Sequence, residues 1–295
     1  MVKFYCCFIL IFSFKFCYSL SPHFQYLGIE NGLSNNSITS FFQDSRGFMW
    51  VGTFDGLNRY DGYSFKAFRN RIGDRSSLVN NWITGINEDG SGNIYIGTKQ
   101  GGAIYDVRTS SFHPIFYSSP KGGGRLVNTN PVNSLARDRN GNMLTGTAGQ
   151  GLLVSSSGKN MASQVPFYTS GGVMFNYHVQ SLKADRSGHI WLFIQGQGLA
   201  RFDPLRGEVR LMSSDVTSAR VIQPDGDGNV WIGGDGGLYK YDIRKRSVFR
   251  VTPGGINNER AGNGHVYWSF RCIVGSYRWR RGDGFRHKIR DVEPV

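Results

Sequence analysis

Asp44-Ser-Arg-Gly47, Trp50-Val-Gly-Thr53, Gly56-Leu57 and Tyr60-Asp61 make up a pattern that returns four more times along the chain. The second copy is Asp89-Gly-Ser-Gly92, Tyr95-Ile-Gly-Thr98, Gly101-Gly102 and Tyr105-Asp106, and the third is Asp138-Arg-Asn-Gly141, Leu144-Thr-Gly-Thr147 and Gly151-Leu152. The fourth reads Asp185-Arg-Ser-Gly188, Trp191, Gly198-Leu199 and Phe202-Asp203; the fifth reads Asp225-Gly-Asp-Gly228, Trp231-Ile-Gly-Gly234, Gly237-Leu238 and Tyr241-Asp242. The distance between copies drifts, yet in each copy the turn Asp lies six residues before the Trp, Tyr or Leu. Fixed inner spacing with variable outer spacing means one folded unit per repeat, joined by loops of free length.

Each unit reads as four short strands. In the first copy these are Ile38 to Gln43, Phe48 to Thr53, Leu57 to Tyr60 and Ser64 to Phe68. Asp-x-x-Gly is turn chemistry: the carboxylate bonds backbone amides two residues on, and Gly takes the positive φ that closes a hairpin. Four strands in about 40 to 50 residues is the signature of a β-propeller blade. The expected fold is therefore all-β, with blades near 38–68, 83–116, 132–168, 179–212 and 219–251. The 295 residues suffice for a ring of six or seven blades, so the expectation is five clear repeats, a degenerate or broken sixth and an incomplete ring.

Residues 1–19 read as a secretory signal peptide: a basic start at Lys3, an apolar run from Phe4 to Phe16 and small residues before Leu20. The run is short for a membrane span, and Lys15 leaves an uncleaved anchor as the alternative. Cys6, Cys7 and Cys17 fall inside this leader, which leaves Cys272 and no internal disulfide, as suits a periplasmic domain. The formal charge of +13 does not point to nucleic acid, because the basic residues lack a compact patch with interleaved aromatics. Many sit in the tail, at Arg271, Arg278, Arg280, Arg281, Arg286, Lys288 and Arg290.

Ile38 to Tyr60, with Gln43-Asp-Ser-Arg-Gly47, Trp50-Val-Gly-Thr53 and Asp55-Gly-Leu-Asn-Arg-Tyr-Asp61, resembles the two-component regulator propeller repeat. Glu30-Asn-Gly-Leu-Ser-Asn-Asn36 resembles the way such regions begin, and the copies cover roughly residues 24 to 252. The resemblance weakens where Leu144 and Phe193-Ile194 replace the usual Trp and Gly-Thr. It implies the exported sensor half of a hybrid histidine kinase, usually paired propellers ahead of a β-sandwich, one span and cytoplasmic kinase, receiver and DNA-binding domains. It further implies an oligosaccharide as the signal and a dimer in the intact parent. No kinase His box, ATP-binding glycine motif, receiver Asp pattern or second apolar span follows the leader, so this polypeptide alone is expected to pass no phosphoryl group.

The chain is expected to be truncated. His23 to Gly28 resembles a lone outer strand that would complete a last blade, whereas residues 253–295 lose the repeat grammar and read as degenerate or frameshifted sequence. A short protein with a divergent sixth blade, hinted at by Gly264-His-Val-Tyr-Trp268, is the competing reading.

Recognition residues are expected on the long loops Asn70 to Trp82, Ser118 to Pro131 and Ser170 to His178, which share one rim of the ring. They carry Arg75, Asn80, Asn81, Trp82, Arg125, Asn130, Tyr177 and His178, a set suited to sugar hydroxyls and ring faces. Asn80 and Asn81 also repeat Asn35 and Asn36, so turn formation competes with binding as their role. Trp50, Tyr95, Trp191 and Trp231 recur at one position and read as packing between blades. Asp225-Gly-Asp-Gly-Asn229 and Asp138-Arg-Asn-Gly-Asn142 start like calcium loops but lack the distal Glu, and hairpin capping accounts for them. His23, His113, His178, His189, His265 and His287 are scattered without catalytic or metal-ligand spacing, so no metal and no cofactor is expected. A free-standing secreted propeller that binds a glycan or protein is the runner-up reading, and a propeller lyase or hydrolase the third.

Overall fold

The structure is a computed structural model that describes residues 26–252 and the backbone of 255–260. Blade 1 contains β1 (Ile38–Gln43), β2 (Met49–Thr53), β3 (Gly56–Tyr60) and β4 (Phe65–Phe68). Blade 2 contains β5 (Ile83–Glu88), β6 (Ile94–Thr98), β7 (Gly102–Asp106) and β8 (Ser111–Pro114). Both are four-stranded antiparallel meanders in chain order.

Blades 3 and 4 carry an extra outer hairpin. In blade 3, β9 (Phe116–Ser118) and β10 (Leu126–Val127) precede β11 (Val132–Arg137), β12 (Met143–Thr147), β13 (Leu152–Ser155) and β14 (Met161–Val165). In blade 4, β15 (Phe167–Thr169) and β16 (Gly172–Met174) precede β17 (Val179–Ala184), β18 (Ile190–Ile194), β19 (Gly198–Asp203) and β20 (Glu208–Ser213). The first strand of each hairpin lies parallel to the outermost meander strand, β9 on β14 and β15 on β20. Blade 5 contains β21 (Val221–Pro224), β22 (Val230–Gly234), β23 (Gly237–Asp242) and β24 (Ser247–Thr252), widened by β25 (Gly255–Arg260).

Three boundaries differ from the sequence reading. Phe116 and Tyr168, expected to end the outer strands of blades 2 and 3, belong instead to the outer edge of the next sheet. Of the expected outer strand His23 to Gly28, residues 23–25 lie outside the described residues, and Tyr26 to Gly28 are in no strand and lead into a 3-10 turn at Ile29–Asn31. Strand β25 starts beyond Pro253, inside the stretch read as tail. The leader 1–19 and the tail past Arg260 lie outside the described residues.

The first hairpin of every blade is closed by its turn aspartate. One Asp44 oxygen accepts the amides of Arg46 (3.0 Å) and Phe48 (2.9 Å), and the other accepts the indole N–H of Trp50 at 2.8 Å. In blade 4, Asp185 accepts the His189 amide at 2.9 Å and the Trp191 indole at 3.0 Å. Where no indole is offered, an Asn four residues on takes the second oxygen: Asn93 with Asp89 (3.2 Å), Asn142 with Asp138 (2.8 Å) and Asn229 with Asp225 (3.1 Å). In blades 1 and 4 the six-residue spacing is thus a hydrogen-bond distance in disguise, and the expected capping role of Asp138 and Asp225 is what the geometry displays.

The Gly-Thr pair has two separate duties. Thr53, Thr98 and Thr147 are fully buried, and their hydroxyls donate to the carbonyls of Gly56, Gly101 and Gly151 at 2.9, 2.7 and 2.8 Å, closing the second hairpin. The glycine makes room for the next blade. A Cβ on Gly52, Gly97 or Gly146 would stand 2.6, 2.8 and 2.7 Å from side-chain carbons of Ile83, Val132 and Val179 respectively.

Blade 4 breaks this rule and shows how it is compensated. Phe193 stands in the glycine position and is fully buried, in one cluster with Val216, Ala219 and Ile222. Ala219 is the blade 5 counterpart of Ile83, Val132 and Val179, so a large residue faces a small one where the other gaps set a small residue against a large one. The departure from Gly-Thr in the fourth copy is therefore a volume exchange across one interface, as close packing requires.

The aromatic position is packing, as the sequence suggested. Trp50, Tyr95, Leu144 and Trp191 are fully buried, each in a cluster with residues of the following blade. Burial pushes the Tyr95 hydroxyl up to about 12, and it donates to the Lys159 carbonyl at 3.1 Å. Trp231 is half-buried, with the Lys240 ammonium 5.3 Å from its ring centre.

Ala219→Ile should overfill the gap beside Phe193 and destabilise the chain by about 1–3 kcal/mol in urea unfolding. Adding Phe193→Gly should restore part of that loss, because the pair then repeats the Gly97–Val132 arrangement. Burial alone would raise the Asp185 carboxyl, but the Trp191 indole and His189 hold it below the ordinary range, and the Asn229 donors do the same for Asp225 against its burial. Depressed folded values stabilise the fold above the ordinary carboxylate pKa, about 4, and that stability is lost as pH falls through the folded values. Melting temperature should accordingly drop steeply below about pH 4, less so in Asp185→Asn.

Candidate ligand-binding rim

The inter-blade connectors and the turns between second and third strands meet on one face. Two sets of backbone bonds repeat there. Within a blade, Phe54, Lys99, Ala148 and Gln195 donate to the carbonyls of Ser37, Trp82, Pro131 and His178 at 3.2, 3.1, 2.9 and 2.9 Å. Between blades, Gly56, Gly101, Gly151 and Gly196 donate to Asn81, Asn130, Tyr177 and Thr217 at 2.8, 3.1, 2.9 and 2.8 Å. Asn81, Asn130 and Tyr177 are therefore one structural position in three gaps, and Trp82 and His178 are both the residue that follows it.

The gap between blades 1 and 2 differs from the others in chemistry. Trp82 is 44% exposed and Phe54 49%, with ring centres 4.8 Å apart and planes inclined by 60°. The Lys99 ammonium lies 5.4 Å from the Trp82 ring centre, a cation held against the aromatic face. Asn81 donates to Asp55 at 3.1 Å and accepts the Asn70 amide at 2.7 Å, while Asp55 pairs with Arg69 at 3.1 Å. Asn80 accepts the Trp82 amide at 2.9 Å, as Asn35 does from Ser37 at 2.7 Å, so Asn80 does make the turn into the inner strand. Its amide nitrogen also reaches Gln100 at 3.2 Å. The result is a pair of open aromatic faces edged by an amide, a carboxylate–guanidinium pair and an ammonium group.

The remaining expected residues are spread around the rim. Arg75 is exposed on the same connector as Trp82, next to Asp74, which accepts the Ser76 hydroxyl at 2.6 Å. Arg125 is exposed in the next connector with its guanidinium 3.5 Å from the Phe116 ring centre. Asn130 is half-buried beside Gly149. His178 is half-buried, its Nε2 lying 2.9 Å from the Asn133 amide nitrogen and 3.1 Å from the Gln180 oxygen.

Tyr177 is a core residue. It is 4% exposed, packs on Phe167 with ring centres 5.5 Å apart and donates its hydroxyl to the Val165 carbonyl at 3.0 Å; burial pushes that hydroxyl well above its ordinary pKa. It therefore offers solvent neither its ring nor its hydroxyl. Phe54, Asp55, Arg69, Lys99 and Gln100 were not among the residues singled out from sequence. For all but Arg69, which opens the connector after β4, the signal was the turn itself, since second-to-third-strand turns share the face of the connectors.

His189, read as a turn residue, has its Nδ1 3.2 Å from Asp185 and is 48% exposed. Among the described residues, no three His, Cys, Asp or Glu side chains converge as a metal site would require. Also among them, no helix is long and apolar enough to cross a membrane.

Residues 32–55 and 77–100 match the model of the two component regulator propeller family, so the chain carries repeats of that type. A stretch of 44 residues is 50% identical to histidine kinase P4 of Formosa agariphila and covers 15% of this chain and 3% of that protein. The fold is similar to the extracellular domain of the hybrid two component system BT4673 from B. thetaiotaomicron, with TM-score 0.59 and 24% identity over 77% of this chain and 33% of that one. For the extracellular domain of the hybrid two component system BT3049 from the same organism the TM-score is 0.56, with 20% identity over 82% and 37%. The chain thus spans about a third of these extracellular domains, and a small part of the kinase. The shared architecture is a β-propeller.

Trp82→Ala should change stability by less than about 1 kcal/mol, as befits an exposed side chain. Tyr177→Ala should cost about 3–5 kcal/mol, the loss expected for a buried aromatic. Urea denaturation of the two variants separates rim from core.

Proposed function

We propose that this run of two component regulator propeller repeats is an exported, non-catalytic ligand sensor whose ligand is an oligosaccharide. The observation that carries the reading is the exposed Trp82–Phe54 pair set beside Asn81, Asp55, Arg69 and Lys99. Aromatic faces bury the C–H faces of sugar rings, and amide, carboxylate and guanidinium groups match sugar hydroxyls in bonded pairs. A saccharide seated there replaces water on two apolar rings while the polar groups exchange partners, which suits a soluble and strongly hydrated ligand.

The position of the pair supports signalling as well as capture. Phe54 belongs to blade 1 and Trp82 to the entry of blade 2, so a bound sugar bridges two blades. A ligand that favours one arrangement of neighbouring elements shifts the population toward it, and this is the form in which a sensor passes on occupancy. Asn130 and His178 occupy the same rim at the following gaps, within reach of a longer chain of sugars laid along the ring. The similarity to extracellular domains of hybrid two component systems and to a histidine kinase supports an exported, periplasmic placement and a signalling parent. Loss of the rim residues would then silence the signal without unfolding the propeller.

A panel of oligosaccharides screened against the purified chain, followed by calorimetry, tests the reading. A binder should lose at least about tenfold in affinity in Trp82→Ala, or 1.4 kcal/mol. Affinity unchanged in both Trp82→Ala and Asn81→Ala would contradict it.

A further inference from the structure

The rim that carries Trp82 and Phe54 is unbalanced in charge. At the gap between blades 1 and 2, Arg69, Arg71, Arg75 and Lys99 are set against Asp55 and Asp74. Both carboxylates already have a guanidinium partner, Asp55 with Arg69 at 3.1 Å and Asp74 with Arg71 at 3.8 Å. Among the described residues, neither Arg75 nor Lys99 stands within ion-pair distance of a carboxylate, and both are exposed. The next connector, Ser118 to Pro131, adds Lys121 and Arg125 and no carboxylate.

The opposite face is built otherwise. The first-hairpin aspartates lie there, together with Asp61, Asp106, Asp203 and Asp242 of the third-to-fourth-strand turns, each of which accepts turn amides. Those acids recur because the turns need them, whereas the rim cations answer to no such rule. Lys99 is the clearest case: its backbone bond to the connector is the one that Phe54, Ala148 and Gln195 make in blades 1, 3 and 4, so the fold asks for no cation at this position.

Lys99 also stands where it meets a ligand. Its ammonium lies over the open Trp82 ring, 5.4 Å from the ring centre. A cation held only by an exposed ring face is weakly held. A sugar that stacks on that face displaces it, and an acidic sugar then gives the ammonium a partner that a neutral sugar lacks.

We propose that the rim selects acidic oligosaccharides, chains that bear carboxylate or sulfate groups, with Lys99 pairing to the anionic group of the sugar stacked on Trp82. This rests on the saccharide reading of the rim and narrows it. The uncompensated charge draws an anionic chain toward this face before contact, an attraction that salt screens. Lys121 and Arg125 continue the positive charge one connector further around the ring, where a longer acidic chain meets further cations.

Matched pairs added to an oligosaccharide panel test this on the purified full chain by calorimetry. One pair is an oligogalacturonate and its methyl ester; the other is an oligomer of a sulfated galactan and its desulfated form. The acidic member of at least one pair should bind at least about fivefold tighter than its neutral counterpart, the upper range for one exposed ion pair. The pair that shows the preference tells carboxylate from sulfate. That preference should shrink as salt rises from about 0.05 M to about 0.5 M, and Lys99→Gln should remove most of it without weakening the neutral member. Neutral members that bind as tightly as acidic ones, with Trp82→Ala weakening both, overturn this inference and leave the saccharide reading standing. A preference that Lys99→Gln leaves unchanged overturns it as well. If nothing in the enlarged panel binds, both readings fall.

Discussion

The turn carboxylate at the first hairpin of each blade, buried in Asp44 and Asp89 and half-buried in the others, is the interaction on which the rest of the structure depends. Asp44 has no exposed side-chain surface and still has both oxygens satisfied, one by the amides that form the turn and the other by the indole of Trp50 and the Arg46 guanidinium, 3.1 Å away. An unpaired carboxylate at such a site would cost several kcal/mol, so the turn amides, the indole and the Arg46 guanidinium stabilise one another. Once the indole is held, its ring points away from its own sheet and into the next blade. The same carboxylate that closes a local turn therefore orients the residue that joins two blades. Blades 2 and 3 lack the indole and change the carboxylate's partner to Asn93 or Asn142, which frees the position six residues on to be Tyr95 or Leu144, and blade 5 uses Asn229 although Trp231 stands at that position.

From this follows a division of labour within the repeat. The face carrying the aspartate turns fixes the geometry, through local bonds and through contacts such as Ser45 to Glu88 and Gly158 to Asp89 between neighbouring blades. The opposite face is closed by the buried threonines and by the backbone bonds of the connectors, which leaves some connector side chains, Trp82 among them, exposed. A rigid scaffold with one free rim suits recognition, and only one described gap fills that rim with two exposed aromatics.

Much of this could be read from sequence because repetition separates structural from singular residues. The strand limits in blade 1, the turn role of Asp138 and Asp225 and the burial of Trp50, Tyr95 and Trp191 all follow from positions that recur. The misreadings come from what does not recur. Phe116 and Tyr168 look like outer strands by composition, but parallel pairing to the following sheet is a long-range choice that local pattern does not encode. Tyr177 has the composition of a binding residue, and only the 4% exposure and the bond to Val165 reveal it as core. Phe193 looks like decay of the motif until Ala219 is seen across the gap. The site was half legible: Asn81 and Trp82 stand out on a long loop, whereas Phe54 and Asp55 hide inside the repeat as ordinary turn residues.

The claim that the turn carboxylate and the indole act as one unit is tested most directly by a double-mutant cycle on Asp44→Ala and Trp50→Phe, followed by urea unfolding. The account predicts a coupling energy of about 1–3 kcal/mol, because Asp44→Ala orphans the buried Trp50 indole N–H, while Trp50→Phe leaves that Asp44 oxygen with the partly exposed Arg46 guanidinium alone. Additive losses within about 0.5 kcal/mol would contradict it and leave the six-residue spacing without a physical cause.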